Sequence, residues 1–366
     1  MPASGINGWG TIPAMPAERF SNARNRVAQA VPPVWLMRQA GRYQRHYQQL
    51  RARHSFEELC HEPELAAEVA LGSIRDFDFD VAILFSDLLF SLEALGFSLR
   101  YDDQGPHLTP RLDRAVLDRL RGTPEAAERL TFQKRALERT RARLAPDKSL
   151  IGFIGGPWTL FVYAVEGRHQ GIQAAAKAAL HLFQPFCEQL VPLLVENVRM
   201  QLEGGAEIVM MFDTAAGGLT PAWFQRTALP AALSIASEFP GKVGYYGKDL
   251  QPAHFRSMDR LVAAGAEPRP ARDTLAGIGV DGRWDLFEAL TLFDGPGFVQ
   301  GNFDEALLCL PVDQFRSELH GYLEPLVYLA PERRRGWVCG TGHGVPPDAS
   351  EANVHAFVQT VREVFA

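Results

Sequence analysis

Apolar residues gather in eight short runs along the chain: "VWLM" (34–37), "VAILFS" (81–86), "LIGFIG" (150–155), "EIVMMFD" (207–213), "VGYYG" (243–247), "AGIGVD" (276–281), "GFVQGNF" (297–303) and "GWVCGTGH" (336–343). They are nearly continuous rather than alternating, which is the pattern of strands covered on both faces. Helical patterns lie between many of them. Ser55 to Glu58 reads as a capping box, and Thr123 followed by Pro124 reads as a cap and first helical position. A long helical region from 172 to 203 carries breaks at Pro185 and Pro192 and ends at Gly204 and Gly205.

Buried strands that alternate with helices predict a parallel sheet, and eight such units predict an α/β fold: a single-domain (β/α)8 TIM barrel over residues 21–366. The segment "FSLRYDDQGPHLT" (97–109) breaks the alternation, with a turn between two β-like arms, and predicts an added β-hairpin. Residues 1–20 follow neither period and are expected to form a flexible N-terminal arm. A doubly wound open sheet is the competing architecture, but it requires a glycine-rich phosphate loop after its first strand, and "MRQAGR" is not one.

Composition narrows the function. With 46% hydrophobic and 22% charged residues the chain can bury a substantial core. A net charge of −6 disfavours nucleic acid and membrane surfaces, which need an extended basic face. No apolar run reaches the ~18 residues of a membrane span and no secretion signal opens the chain, so a cytoplasmic location is expected. Cys60, Cys187, Cys309 and Cys339 show no metal-binding spacing and are expected to be reduced thiols packed as small apolar groups.

Against that acidic balance, "WLMRQAGRYQRHYQQLRARH" (35–54) carries five arginines and two histidines with no acid. Any anion site is therefore local. In a (β/α)8 barrel the working groups stand at the C-terminal ends of the strands. There the sequence offers Arg38, Gln39 and Arg42 after the first run, Asp87 after the second and Tyr163 after the third. Asp213 and Thr214 follow the fourth, and His343 the last. Taken singly, such an arginine is usually solvated, such an aspartate caps a helix and a lone histidine does nothing chemical. It is their shared placement that marks a site.

The stretches "PVWLMRQAGRY" (33–43) and "GFIGGPWTLFVYAVEG" (152–167) resemble the two signature segments of the uroporphyrinogen decarboxylase family. "FSDLL" (85–89), "FDTAAG" (212–217), "QGNFD" (300–304) and "GTGHGV" (340–345) follow in the family's order, so the resemblance spans residues 20–366. It implies a cofactor-free, metal-free carboxy-lyase, usually a homodimer. Such an enzyme removes the four acetate carboxylates of uroporphyrinogen III to give coproporphyrinogen III and carbon dioxide in haem and tetrapyrrole biosynthesis. The anion would then be a tetrapyrrole with eight side-chain carboxylates, for which guanidinium forks are well suited.

By position, the resemblance implies that Arg38, Gln39 and Arg42 hold substrate carboxylates, with Arg51 a further candidate. Asp87 would reach the pyrrole N–H groups, and Tyr163, Thr214 and His343 would orient the ring. It gives catalytic roles to Asp87, Arg38 and Tyr163. A pyrrole protonated on carbon is a cation that takes up the electrons released with carbon dioxide, so the ring is its own electron sink. A guanidinium is a poor acid, which makes Arg38 a positioning group first.

The sequence departs from the family at the rim. The usual Leu-Pro-Glu-Tyr-Arg after "QAGRY" is replaced by Gln44, Arg45, His46, Tyr47 and Gln48. Ala215 stands for a large indole, Gly282 for the tryptophan of Leu-Asp-Trp, and Ala349 and Ser350 for a Thr-Pro pair. Two alternatives follow: a divergent paralogue that binds a tetrapyrrole without decarboxylating it, and a corrinoid methyltransferase of the same superfamily. The second needs closely spaced His and Cys zinc ligands, and no such His-x-Cys pattern is present.

Overall fold

The computed structural model describes residues 18–102, 105–168, 171–255, 274–295 and 297–366. The strands among the described residues are β1 (Val81–Ile83), β2 (Ser98–Asp102), β3 (Gly105–Thr109), β4 (Ser149–Gly155), β5 (Ile208–Phe212), β6 (Val243–Tyr246), β7 (Gly277–Gly279), β8 (Phe298–Phe303) and β9 (Trp337–Thr341). Seven form one parallel sheet in the order β1-β4-β5-β6-β7-β8-β9. At least one helix lies between each successive pair. Every residue of β4, β8 and β9 is buried, as their unbroken apolar text requires.

The first apolar run closes the sheet. Val34 bridges in parallel to Cys339 of β9, with Trp35 N–H donating to Cys339 O at 3.1 Å. On the other side Asp80, just before β1, donates its N–H to Val34 O at 3.0 Å, and its carboxylate accepts Val34 N–H at 2.6 Å. This segment thus takes the eighth position of a (β/α)8 barrel. It is too brief to be a full strand because a side chain replaces one rung of its ladder and the chain turns away after Met37. Arg19 and Arg362 pair with the same Asp80 carboxylate at 3.1 and 2.8 Å, compensating its burial.

The expected hairpin is β2 and β3, paired antiparallel with Ser98 opposite Thr109. Its turn residues 103 and 104 lie outside the described residues, as does the expected arm up to residue 17. A helix begins at Glu18 and buries Phe20. The hairpin is anchored over the barrel mouth: Leu108 N–H donates to Gly167 O at 2.8 Å and Leu112 N–H to Ala164 O at 2.7 Å, both at the end of the helix Pro157–Glu166 that follows β4.

Two local expectations shift. The capping box at Ser55 and Glu58 is present, but the helix Thr123–Glu128 is capped by Gly122, with Thr123 and Pro124 already inside its first turn. Neither proline breaks the long helix. Its last part runs unbroken from Phe183 to Glu203 with Pro192 inside. A helical proline costs roughly 3 kcal/mol, whereas fully burying Leu190, Leu193 and Leu194 returns about 1.5–3 kcal/mol each. Packing overrides the breaker. Of the cysteines, Cys60, Cys187 and Cys339 are buried free thiols, while Cys309 is exposed.

Candidate active site

Arg38 follows the closing segment directly and takes a left-handed backbone, with φ of 54°. Holding a non-glycine residue there costs on the order of 1–3 kcal/mol unless its surroundings impose it. They do so here, because Val345 N–H donates to Met37 O at 2.9 Å and ties the turn to the loop after β9. The Arg38 side chain then lies across Gly344, where a Cβ would sit 2.4 Å from Arg38 Cδ. Only glycine leaves it that path. The arginine emerges exposed at the barrel mouth.

Asp87 stands beyond the end of β1, half-buried, with Leu89 N–H donating to its Oδ1 at 2.8 Å. Burial raises its carboxyl above the usual range, opposed first by that N–H, then by the Arg38 charge and by the Tyr101 hydroxyl. Tyr163, on the helix after β4, feels both neighbours. Burial and the Asp87 charge push its phenol up to about 12, while Arg38 pulls the other way. The structure therefore gathers Arg38, Asp87 and Tyr163 in one electrostatic group.

His343 joins them from the β9 loop. Its ring stacks on Tyr246 of β6, with centroids 6.0 Å apart and planes 13° apart. The Tyr246 hydroxyl is 2.8 Å from Gly342 O and 3.0 Å from His343 Nδ1. A carbonyl can only accept, so the one hydroxyl proton goes to Gly342 and His343 Nδ1–H donates to the Tyr246 oxygen. Nε2 is left as a lone pair. Burial, then Arg38 and Lys248, lower the imidazole to about 4, which keeps it neutral at physiological pH.

The other expected residues are arranged differently from one another. Arg42 and Arg51 are exposed further along the same segment, and both act on the phenol of buried Tyr47. Gln39 is 1% exposed and faces inward, donating Nε2–H to Val81 O at 3.0 Å while its Oε1 has no partner. Thr214 is half-buried just beyond β5. Its neighbour Asp213 is fully buried and is an anchor: Thr159 N–H and Oγ1–H donate to Oδ1 at 2.7 Å, and Tyr245 O–H donates to Oδ2 at 3.1 Å.

Sequence reasoning missed Tyr101 and Tyr246. Tyr246 could have been noticed at the C-terminal end of "VGYYG", where a strand-end hydroxyl is informative. Tyr101 was hidden in an added hairpin rather than at a barrel strand.

Among the described residues no group of three or more His, Cys, Asp or Glu side chains is placed to hold a metal ion. No helix among them is long and apolar enough to cross a membrane.

Comparison with known proteins identifies the family. The "Uroporphyrinogen decarboxylase (URO-D)" family model matches residues 15–364. A uroporphyrinogen decarboxylase of Synechococcus sp. (strain JA-2-3B'a(2-13)) is 36% identical over 341 residues, covering 91% of this chain and 93% of that protein. Those of Jannaschia sp. (strain CCS1) and Myxococcus xanthus (strain DK1622) are 34% and 33% identical, covering 92% and 93% of this chain and 96% and 95% of theirs. Among solved structures, a methyltransferase from Methanosarcina mazei superposes with a TM-score of 0.68 at 17% identity, covering 96% of this chain and 100% of that one, a likeness of fold alone. The matched residues, the barrel and the strand-end groups all lead to one assignment: the chain belongs to the uroporphyrinogen decarboxylase family.

Proposed function

We propose that this protein is a uroporphyrinogen decarboxylase, a carboxy-lyase that converts the four acetate side chains of uroporphyrinogen to methyl groups. The observation that carries the reading is the partly desolvated Asp87 carboxylate beside the guanidinium of Arg38 and the phenol of Tyr163, at the C-terminal mouth of the barrel. That is an acidic centre within a basic approach, matched to a macrocycle with N–H groups inside and carboxylates outside.

In the proposed reaction a proton adds to the ring carbon next to the one bearing the acetate, which makes the ring an iminium cation conjugated with the side chain. The bond from the side-chain methylene to its carboxylate breaks, carbon dioxide leaves, and the electron pair forms an exocyclic double bond that neutralises the ring. A proton on the methylene then makes the methyl group, and the ring carbon gives its own proton back. One proton is consumed for each carbon dioxide released. Ionised Asp87 stabilises the cation electrostatically and accepts from the ring N–H groups. Arg38 and Arg42 hold substrate carboxylates, Gln39 supports Arg38 through its bond to β1, and Tyr163, Thr214 and His343 orient the ring.

The test is incubation of the purified protein with uroporphyrinogen under anaerobic conditions, followed by oxidation and chromatography. Coproporphyrin is expected; tight binding with uroporphyrin recovered unchanged would favour the binding-protein reading instead. As in the resemblance, the protein is proposed to act as a cytoplasmic homodimer, and a monomer in sedimentation at micromolar concentration would overturn that assembly.

A further inference from the structure

The hairpin is more than an ornament on the barrel rim. Along β2 burial alternates, so Leu99 and Tyr101 turn inward while Ser98, Arg100 and Asp102 face out. The Tyr101 ring is fixed edge-on against Phe56 at 4.9 Å, and Phe56 against Phe85 at 6.0 Å. Its hydroxyl oxygen is buried with no hydrogen-bond partner of regular geometry. Leaving such a group unpaired costs roughly 1–3 kcal/mol. The group it faces is the Asp87 carboxyl, whose Oδ1 is already taken by Leu89 N–H.

We propose that Tyr101 is a positioning residue for Asp87, its hydroxyl donating to the carboxylate when substrate engages it, so that the charge needed under the ring is held ionised and aimed. This rests on the decarboxylase reading of the same site. The proton balance is simple, because the phenol donates a hydrogen bond and transfers nothing. Other groups around the carboxylate are Arg38 from the closing segment, Tyr163 from the helix after β4, and the Cys60 thiol from the helix Phe56–His61. Glu93 also faces the phenol, and Arg51 and Glu57 face the thiol behind it. Of these, Arg38 and Tyr101 favour the ionised Asp87, after the Leu89 N–H.

The experiment compares wild type with Tyr101→Phe, which keeps the ring and its contacts. The acid limb of kcat/KM should move to higher pH, and kcat should fall on the order of tenfold with little change in KM, the scale of one hydrogen bond to a charged group. In an Asp87→Asn background the same substitution should cost almost nothing further. A Tyr101→Phe enzyme with the wild-type acid limb, or a loss that persists undiminished beside Asp87→Asn, would overturn the proposal. If the wild-type protein does not turn over uroporphyrinogen, the decarboxylase reading fails. The inference is then decided separately by 13C NMR of aspartate-labelled protein, with Asp87 assigned by its absence in Asp87→Asn. An Asp87 titration that rises in Tyr101→Phe supports it, and one that does not move sinks it.

Discussion

Replacing Gly344 by alanine should separate activity from stability by moving one side chain. A Cβ at this position meets Arg38 Cδ at 2.4 Å, Cγ at 2.8 Å and Nε at 3.0 Å. Carbon atoms settle at about 3.5–4.0 Å, so Arg38 must retreat by roughly 1.3 Å at Cδ, and its guanidinium with it. The fold has little reason to object, because the displaced side chain is exposed and can swing outward. Catalysis does, since a misplacement of about 1 Å costs on the order of a hundredfold, or about 2.7 kcal/mol in the barrier. Gly340 is the control. There a Cβ would lie 2.2 Å from Trp35 O, backbone that closes the barrel and cannot swing away. Steady-state decarboxylation and thermal unfolding should show Gly344→Ala folded with a melting temperature near wild type and kcat/KM down about a hundredfold. Gly340→Ala should lose at least the roughly 1–3 kcal/mol of an overpacked core. Wild-type activity in Gly344→Ala, or a loss of stability matching Gly340→Ala, would refute the reasoning.

Asp87→Asn keeps the size of the side chain but removes its charge, so kcat should fall by roughly a hundredfold or more with affinity less affected. Arg42→Ala removes an attraction present in ground and transition states alike, so KM should rise most, and the reverse pattern in the two variants would exchange their roles. His343 has a folded pKa lowered to about 4, so the unfolded chain takes up a proton near pH 6.5 that the folded chain refuses. Its contribution to stability is complete above about pH 6.5 and is lost as pH falls towards 4. Thermal melts over that range should lose less stability in His343→Gln than in wild type, and equal slopes would show that the imidazole is not buried neutral.

The barrel was legible because its strands are buried on both faces, which leaves near-continuous apolar runs wherever β4, β8 and β9 occur. The hairpin showed itself by its turn residues. Less legible was anything decided by packing: Pro192 inside its helix, or the brevity of the closing segment, where Asp80 stands in for a strand partner. For the candidate site, position at a strand end was a good guide to neighbourhood and a poor guide to direction. Arg38 and Gln39 are adjacent, yet the left-handed turn at Arg38 sends the first to the mouth and the second into the barrel wall against Val81. Asp213 and Thr214 divide likewise, the first consumed by Thr159 and Tyr245. Sequence gives no sign of such assignments, because the partners are 32 or more residues away.

The altered rim gains meaning from what its residues hold. Arg45 adds a cation beside the arginine cluster, but its Nε donates to Glu351 Oε2 at 2.8 Å, and the Glu351 carboxylate also accepts Arg45 N–H. The Arg45 charge is therefore met by a carboxylate at the start of the helix Glu351–Phe365. His46 lays its ring over Gly72, where a Cβ would lie 2.1 Å away, and its Nε2 is 3.5 Å from Glu68. Gln48 donates to Arg42 O at 2.7 Å and so fastens the backbone of a residue proposed to bind substrate. By contrast, Arg38, Arg42 and Arg51 make no ion pair with an acid among the described residues. Arg53 makes none either, so a chain of net charge −6 keeps four of the five arginines of this segment out of ion pairs among the described residues, while the substitutions around them serve its framework. Ala215, where the resemblance expects an indole, is itself buried, with its N–H donating to Thr159 Oγ1 at 2.9 Å and its carbonyl accepting from Gln173 Nε2 at 2.7 Å, so it too is tied into that framework.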